Sequence, residues 1–263
     1  MNILISNDDG IDARGLRELV RALREDAGAD IYVCAPNGQR SASGHAISLE
    51  EPIYIEEVRM DNVKIAYQTT GLPADCVKIG LEFLEREGVH IDMVFAGINH
   101  GGNLGTDTLY SGTVAAALEG CLCGYPSVAV SVDSHRAEHF DYACELAVNA
   151  ARAIGGQIEE GRADRRTVLN INVPNLPKDR IKGLRYTRLG DRKYQEVFVP
   201  LDDAEEIRIP GRFHYTGEPV RYEGLPGDID VIANQDGYAS ITPIDTDLTR
   251  AEMIDEIRTW NLG

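Results

Sequence analysis

Met1-Asn2-Ile3-Leu4-Ile5-Ser6-Asn7-Asp8-Asp9-Gly10 is the stretch on which the fold turns. A short apolar run closed by polar residues and a glycine reads as a buried strand ending in a turn, so Asn2–Ser6 is expected to be the first strand. It carries no basic segment and no small-residue cleavage site, and so does not read as a secretion signal. Downstream, Leu16, Leu19, Val20 and Leu23 recur at i, i+3, i+4 and i+7, one face of a helix. A second apolar run, 31–35, stops at Pro36-Asn37-Gly38. The alternation continues. Ile65–Thr69 reads as a strand, and a helix follows with Pro73 in its first turn and Val77, Leu81 and Leu84 on one side. Strands are expected at 93–96, 127–131 and 167–173, with helices at 113–119 and 141–154 between them. Strands alternating with helices make parallel βαβ units and a doubly wound α/β sheet. Ligands bind such sheets beyond the carboxyl ends of the strands, which is where the chemistry is to be sought.

The texture changes after about Lys182, dividing the chain into a core, 1–182, and an extension, 183–263. Residues 191–228 are rich in charge, Gly, Pro and Tyr and lack a helical period, so hairpins and loops are expected. A strand is expected at 238–244. Thr249-Arg250-Ala251-Glu252 matches a capping box and should open a terminal helix with Met253, Ile254, Ile257 and Trp260 on one side.

The 263 residues carry a formal net charge of −17. That charge argues against nucleic acid as a partner, whose phosphates need a basic surface. It also disfavours anionic substrates unless a bound cation reverses the local field. No apolar run approaches the roughly 20 residues that span a bilayer, so a cytoplasmic protein with no membrane contact is expected. Five cysteines, an odd number in a chain of this size, read as buried reduced thiols and not as a disulfide framework or a zinc site.

Three polar clusters fall at strand ends. The first is Ser6-Asn7-Asp8-Asp9-Gly10: two adjacent carboxylates repel each other, and a hard cation such as Mg²⁺ or Mn²⁺ relieves that repulsion. Taken alone it is equally an ordinary Asp-Asp-Gly turn. The second, 37–45, offers hydroxyls and glycines that suit a neutral ligand or simply a surface loop. The third, 97–105, has four glycines in nine residues and runs on to Tyr110-Ser111-Gly112-Thr113, where a helix begins. Such a helix start is an anion site, or merely an N-cap on Ser111. In a parallel sheet all three loops share one edge. Negative charge for a metal beside donors for an anion is the layout for metal-assisted attack of water on a phosphate ester.

Other signals fail. Asp245-Thr246-Asp247-Leu248-Thr249 matches the nucleophile motif of haloacid-dehalogenase-type phosphatases, but only 14 residues follow it. No GxGxxG follows the first strand, and there is no P-loop and no Gly-x-Ser-x-Gly elbow. The aspartate spacing of nucleoside hydrolases is missing too. His45 and His100 sit in the polar loops and could meet a substrate; the other four histidines show no ligand spacing.

The stretches Ile3-Leu4-Ile5-Ser6-Asn7-Asp8-Asp9-Gly10, Arg40-Ser41-Ala42-Ser43-Gly44-His45-Ala46-Ile47-Ser48, Gly97-Ile98-Asn99-His100-Gly101-Gly102-Asn103-Leu104-Gly105 and Tyr110-Ser111-Gly112-Thr113-Val114-Ala115-Ala116-Ala117 resemble, in order and spacing, the SurE (survival protein E) nucleotidases. Leu169-Asn170-Ile171-Asn172-Val173-Pro174 and Asp236-Gly237-Tyr238-Ala239-Ser240-Ile241-Thr242-Pro243 extend the resemblance over nearly the whole chain. It implies a metal-dependent hydrolase of nucleoside 5′- and 3′-monophosphates, sometimes of short polyphosphate. It implies one divalent ion per subunit on Asp8, Asp9, Ser41 and Asn99, and phosphate held by Asn103, Ser111, Gly112 and Thr113. It also implies a Rossmann-like core whose C-terminal appendage is exchanged between subunits of a homodimer or homotetramer. Many members read Ser-Gly where this chain reads Ser41-Ala42, which leaves Ser43 as an alternative to Ser41. Asp8 and Asp9 are the expected catalytic pair, with Asp8 taking the proton of the attacking water, provided it binds the ion through one oxygen only, and Asp9 anchoring the ion. The rival class is a non-catalytic nucleotide- or metal-binding regulator on the same fold.

Overall fold

The computed structural model describes residues 1–195, 198–200, 213–215 and 217–263. Nine strands form one sheet. Its central strands are β1 (Asn2–Ser6), β2 (Asp30–Pro36), β4 (Ile65–Thr69), β5 (Met93–His100), β6 (Ser127–Asp133) and β7 (Thr167–Pro174). These six run parallel in the order β4-β2-β1-β5-β6-β7. Their burial is nearly continuous, as expected of strands covered on both faces. Helices α1 (Arg14–Glu25) and α4 (Asp141–Glu159) cover one face, and α2 (Pro73–Arg86) and α3 (Gly112–Leu122) the other. The doubly wound expectation therefore holds.

The chain moves outward from β1 through β2 to β4, then returns to β5 on β1's other side. The order reverses between β1 and β5. The crevice at a strand-order reversal is where such sheets bind ligands. The loops after β1 and β5 are the ones carrying Asp8-Asp9 and the glycine-rich run.

Three strands complete the sheet at its margins. β3 (Ile55–Val58) pairs antiparallel with β4, while β13 (Ala239–Asp245) pairs antiparallel with β7 and parallel with β8 (Leu184–Tyr186). Both β8 and β13 lie beyond residue 182, so the extension finishes the core sheet. Between them, β9 (Tyr194–Gln195) pairs with β12 (Glu218–Pro219), and β10 (Phe198–Pro200) with β11 (Phe213–Tyr215). These are the hairpins expected within 191–228, and 220–228 is loop, as expected; residues 196–197, 201–212 and 216 of that stretch lie outside the described residues. A short helix, α5 (Asp230–Gln235), was not foreseen.

Two expectations are corrected. The capping box at 249–252 does not form. The last helix, α6, spans Met253–Arg258 without a side-chain cap, because the Glu252 carboxylate takes the Arg250 guanidinium at 2.9 Å while the Thr249 N–H donates to Asp247 at 2.8 Å. All five cysteines are free, but Cys123 is exposed where a buried thiol was expected. No helix among the described residues is long and apolar enough to cross a membrane.

Candidate active site

Ser6 ends β1, and Asn7 closes the turn by accepting from the Gly10 N–H at 3.2 Å and donating to the Gly10 carbonyl at 2.8 Å. This ring projects Asp8 and Asp9 from the strand end. Asp8 is only 4% exposed. Thr113 Oγ1 donates to its Oδ1, leaving Oδ2 free of any side-chain donor. Burial, and secondarily the charge of Asp9, push the Asp8 carboxyl up to about 6 against the pull of Thr113. Asp9 is half-buried, and its Oδ2 accepts the His100 N–H at 3.0 Å. The pair is thus fixed from both neighbouring loops.

β5 supplies Asn99 through an irregularity. Its register against β6 shifts between Ala96 and Asn99. A β-carbon on Gly97 would stand 2.3 Å from the Val130 carbonyl oxygen, and φ there is +130°, so the distortion needs glycine. Asn99 Nδ2 donates to the Gly101 carbonyl at 2.8 Å, which leaves Oδ1 as a neutral acceptor. The 37–48 loop crosses from the other side. Arg40 N–H binds the Asp8 carbonyl at 2.7 Å and Gly44 N–H the Tyr110 carbonyl at 3.0 Å. Ser41 is exposed and accepts from Gln39 at 2.9 Å. Ser43 Oγ, by contrast, is shielded from solvent and has no hydrogen-bond partner.

Helix α3 starts at the site. Ser111 is its N-cap, accepting the Val114 N–H at 3.0 Å, while its own hydroxyl hydrogen stays available. Gly112 lets the helix touch the carboxylate. A β-carbon there would meet Asp8 Cβ at 2.8 Å, Ser43 Oγ at 2.9 Å and Asp8 Oδ2 at 3.0 Å. The Thr113 hydroxyl is committed to Asp8. Asn103 is pinned from below: its N–H donates to Asn172 at 2.7 Å, its Nδ2 to Ser131 at 2.8 Å, and its carbonyl receives Asn170 and Asn172.

Of these, Asp8, Ser41, Asn99, Asn103 and Ser111 line a cavity of about 540 Å³, whereas Asp9, Ser43, Gly112 and Thr113 stand behind its wall and do not line it. Beside Tyr110, from the third cluster, its outer wall holds residues the sequence reading missed: Asp133, His135, Arg192, Tyr194 and Glu218. Asp133 ends β6, so the strand-end rule could have found it; Arg192, Tyr194 and Glu218 come from the extension and left no local signal. His45 lies elsewhere, with its Nε2 2.9 Å from Glu119 Oε2, an interaction that anchors the loop.

A family model described as "Survival protein SurE" matches residues 3–196. The chain belongs to the SurE family. A "5'-nucleotidase SurE" of Petrotoga mobilis is 38% identical over 263 residues, covering 99% of each chain. One from Desulforudis audaxviator is 42% identical over 265 residues, covering 99% of this chain and 97% of the relative. The crystal structure of the SurE protein from Aquifex aeolicus superposes with a TM-score of 0.78 at 31% identity, over 99% of both chains.

Whether the site fits a divalent ion can be judged from its donor set. Among the described residues no three His, Cys, Asp or Glu side chains converge, so a soft or all-anionic site is not offered. The cavity brings the Asp8 carboxylate together with the Asn99 amide and the Ser41 hydroxyl, with Asp9 next to Asp8 in the chain, and all of these offer hard oxygen donors. That chemistry fits Mg²⁺ or Mn²⁺.

Proposed function

We propose that the chain is a metal-dependent phosphomonoesterase that hydrolyses nucleoside 5′- and 3′-monophosphates to nucleoside and phosphate, with one Mg²⁺ or Mn²⁺ per subunit. The observation that carries this reading is the buried Asp8 beside Asp9 at the strand-order reversal, touching the start of α3. Negative charge for a cation and helix N–H groups for an anion stand side by side there. The cavity is large enough for a nucleotide and not only for phosphate. The names of the relatives point to the same activity.

Asp8, Asp9, Ser41 and Asn99 would hold the ion, with Ser43 as the alternative hydroxyl. When bound, the ion supplies positive charge to the phosphoryl oxygens and acidifies water. The residues of the chain do the rest. Asp8 Oδ2, which Thr113 leaves free, is the oxygen that takes the proton of the attacking water. Asp9, fixed by the His100 N–H, keeps the second carboxylate in place. The Gly112 and Thr113 N–H groups and the Ser111 hydroxyl donate to phosphoryl oxygens. Thr113's side chain works through Asp8. Asn103 would carry the loop and present its amide to the substrate; exchanging its O and N lets Ser131 donate instead and turns Nδ2 outward.

We place the protein in the cytoplasm and assign it a homodimeric or homotetrameric state, in which the C-terminal segment is exchanged between subunits. Ile254, Ile257, Trp260 and Leu262 are all 41–77% exposed, which suits burial on a second copy.

Phosphate release from 5′-AMP and 3′-AMP, with Mn²⁺, with Mg²⁺ and with chelator, tests the reading. Metal-dependent turnover that Asp8→Asn abolishes is expected. Metal-dependent nucleotide binding without phosphate release would favour the non-catalytic regulator.

A further inference from the structure

Arg192 is the only lysine or arginine among the described residues that line the cavity. A lone guanidinium at a phosphate site invites reading as a phosphate clamp. Its contacts point elsewhere. The side chain is only 10% exposed; Nη2 stands 3.3 Å from Asp133 Oδ1 and Nη1 3.4 Å from Asp107 Oδ2. Nη1 also donates to the Gly102 carbonyl at 3.1 Å. The backbone is tied to the same loop, since the Arg192 N–H donates to Thr106 Oγ1 at 3.2 Å and the Arg192 carbonyl accepts from that hydroxyl at 3.0 Å. Two residues on, the Tyr194 hydroxyl donates to Asp107. Asp230, at the start of α5, accepts the Gly105 N–H at 2.7 Å and the Gly190 N–H at 2.8 Å, closing the clasp from the far side.

Every one of these partners belongs to the 102–107 loop, to the end of β6 or to the extension itself. The guanidinium is neutralised twice over before any substrate arrives. Immediately upstream, Asn99 Nδ2 holds the Gly101 carbonyl and the His100 N–H holds Asp9. We propose that Arg192 is a positioning residue: a strut from the C-terminal extension that fixes the Asn99-to-Asp107 loop, and with it the Asn99 oxygen and the Asp9 carboxylate. This rests on the nucleotidase reading for the identity of the metal and substrate.

Two mechanisms give opposite signs. Removing a positive charge strengthens cation binding by simple electrostatics and weakens phosphate binding. Removing a strut weakens cation binding, because it takes the ion-pair partner from the half-buried Asp107 and Asp133 and frees the loop that carries the ligands. The test uses the full-length chain, with Mn²⁺ titrated by calorimetry and orthophosphate measured as a competitive inhibitor of AMP hydrolysis. Arg192→Ala should raise the Mn²⁺ dissociation constant about tenfold and lower kcat by roughly 10- to 100-fold, with the orthophosphate inhibition constant changing less than about threefold. Arg192→Lys keeps the charge but not the fork, and should move Mn²⁺ affinity in the same direction; it carries the test if the alanine variant does not fold. Unchanged or tighter Mn²⁺ binding, with phosphate inhibition weakened tenfold or more, would make Arg192 a clamp and overturn the proposal. A wild-type chain that neither binds Mn²⁺ nor releases phosphate from AMP would instead overturn the nucleotidase reading itself, and this inference with it.

Discussion

Asp8 serves two opposing demands. The proposed mechanism asks for a carboxylate at the switch point, while folding without a cation penalises one that is buried beside Asp9. A carboxyl whose value rises on folding binds protons more tightly when folded, so it takes stability away as pH climbs from its ordinary value of 3.8 through about 6. Asp8→Asn should therefore raise the melting temperature of the metal-stripped chain at pH 8, and have little effect at pH 4. A melting scan in chelator at both pH values checks this, and an Asn variant that melts lower at pH 8 contradicts it. Gly112 poses the converse case. The methyl of Gly112→Ala has no room beside Asp8 and Ser43, and neither can retreat far from a packed turn. The expected result is a loss of at least tenfold in kcat for AMP. A fall confined to KM would mean that the helix start shifts the substrate and leaves Asp8 in place.

At the scale of elements, the 37–48 loop is held to α3 by a buried acid. Glu119, 3% exposed, accepts His45 at 2.9 Å and Lys78 at 2.8 Å. The His45 hydrogen bond, reinforced by Lys78 and opposed by burial, holds the Glu119 carboxyl below its ordinary value of 4.5. A lowered carboxyl contributes stability that is complete above that ordinary value and is lost as pH falls through the folded one. Glu119→Gln should cost about 1–2 kcal/mol at neutral pH, a modest figure because Lys78 is half exposed and screened. The difference from wild type should shrink below about pH 4.5; a gap of constant size down to pH 3 would mean that the carboxylate charge is irrelevant. The loop's polar residues were legible in the sequence as a strand-end cluster, but this anchor was not, because Glu119 on its helix looks like any other acidic position. The same physics separates the elements that could be read from those that could not. β1 and β5 are continuous apolar runs, buried on both faces. β3, Ile55-Glu56-Glu57-Val58, has a charged, half-exposed sequence and is a strand only because β4 offers it a pairing edge. The failed capping box shows the reverse: the local pattern was right, but Arg250 captured the Glu252 carboxylate first.

For the whole molecule, the site is built from two ends of the chain. Asp8, Asp9 and Asn99 follow from strand ends and were legible there. Arg192, Tyr194 and Glu218 arrive from about a hundred residues downstream, brought in because β8 and β13 extend the sheet past β7 and return the chain over the cavity. No local pattern encodes that return. The same extension ends in α6, whose Ile257 is 41% and Trp260 52% exposed. In the proposed exchange these side chains bury on a second copy, each contributing about 1.5–3 kcal/mol when fully covered. Replacing both, Ile257→Ser with Trp260→Ser, should then weaken association by roughly two to four decades and turn the sedimenting species at micromolar concentration into a smaller one. Arg192 lies well before α6, so Mn²⁺ affinity in the double variant separates two arrangements of the extension. Unchanged affinity with loss of assembly means that each chain folds its own strut over its own site and exchanges only the terminal helix. Affinity lost together with assembly means that the strut itself is held in place by the partner. An unchanged sedimentation coefficient would remove α6 from the interface altogether.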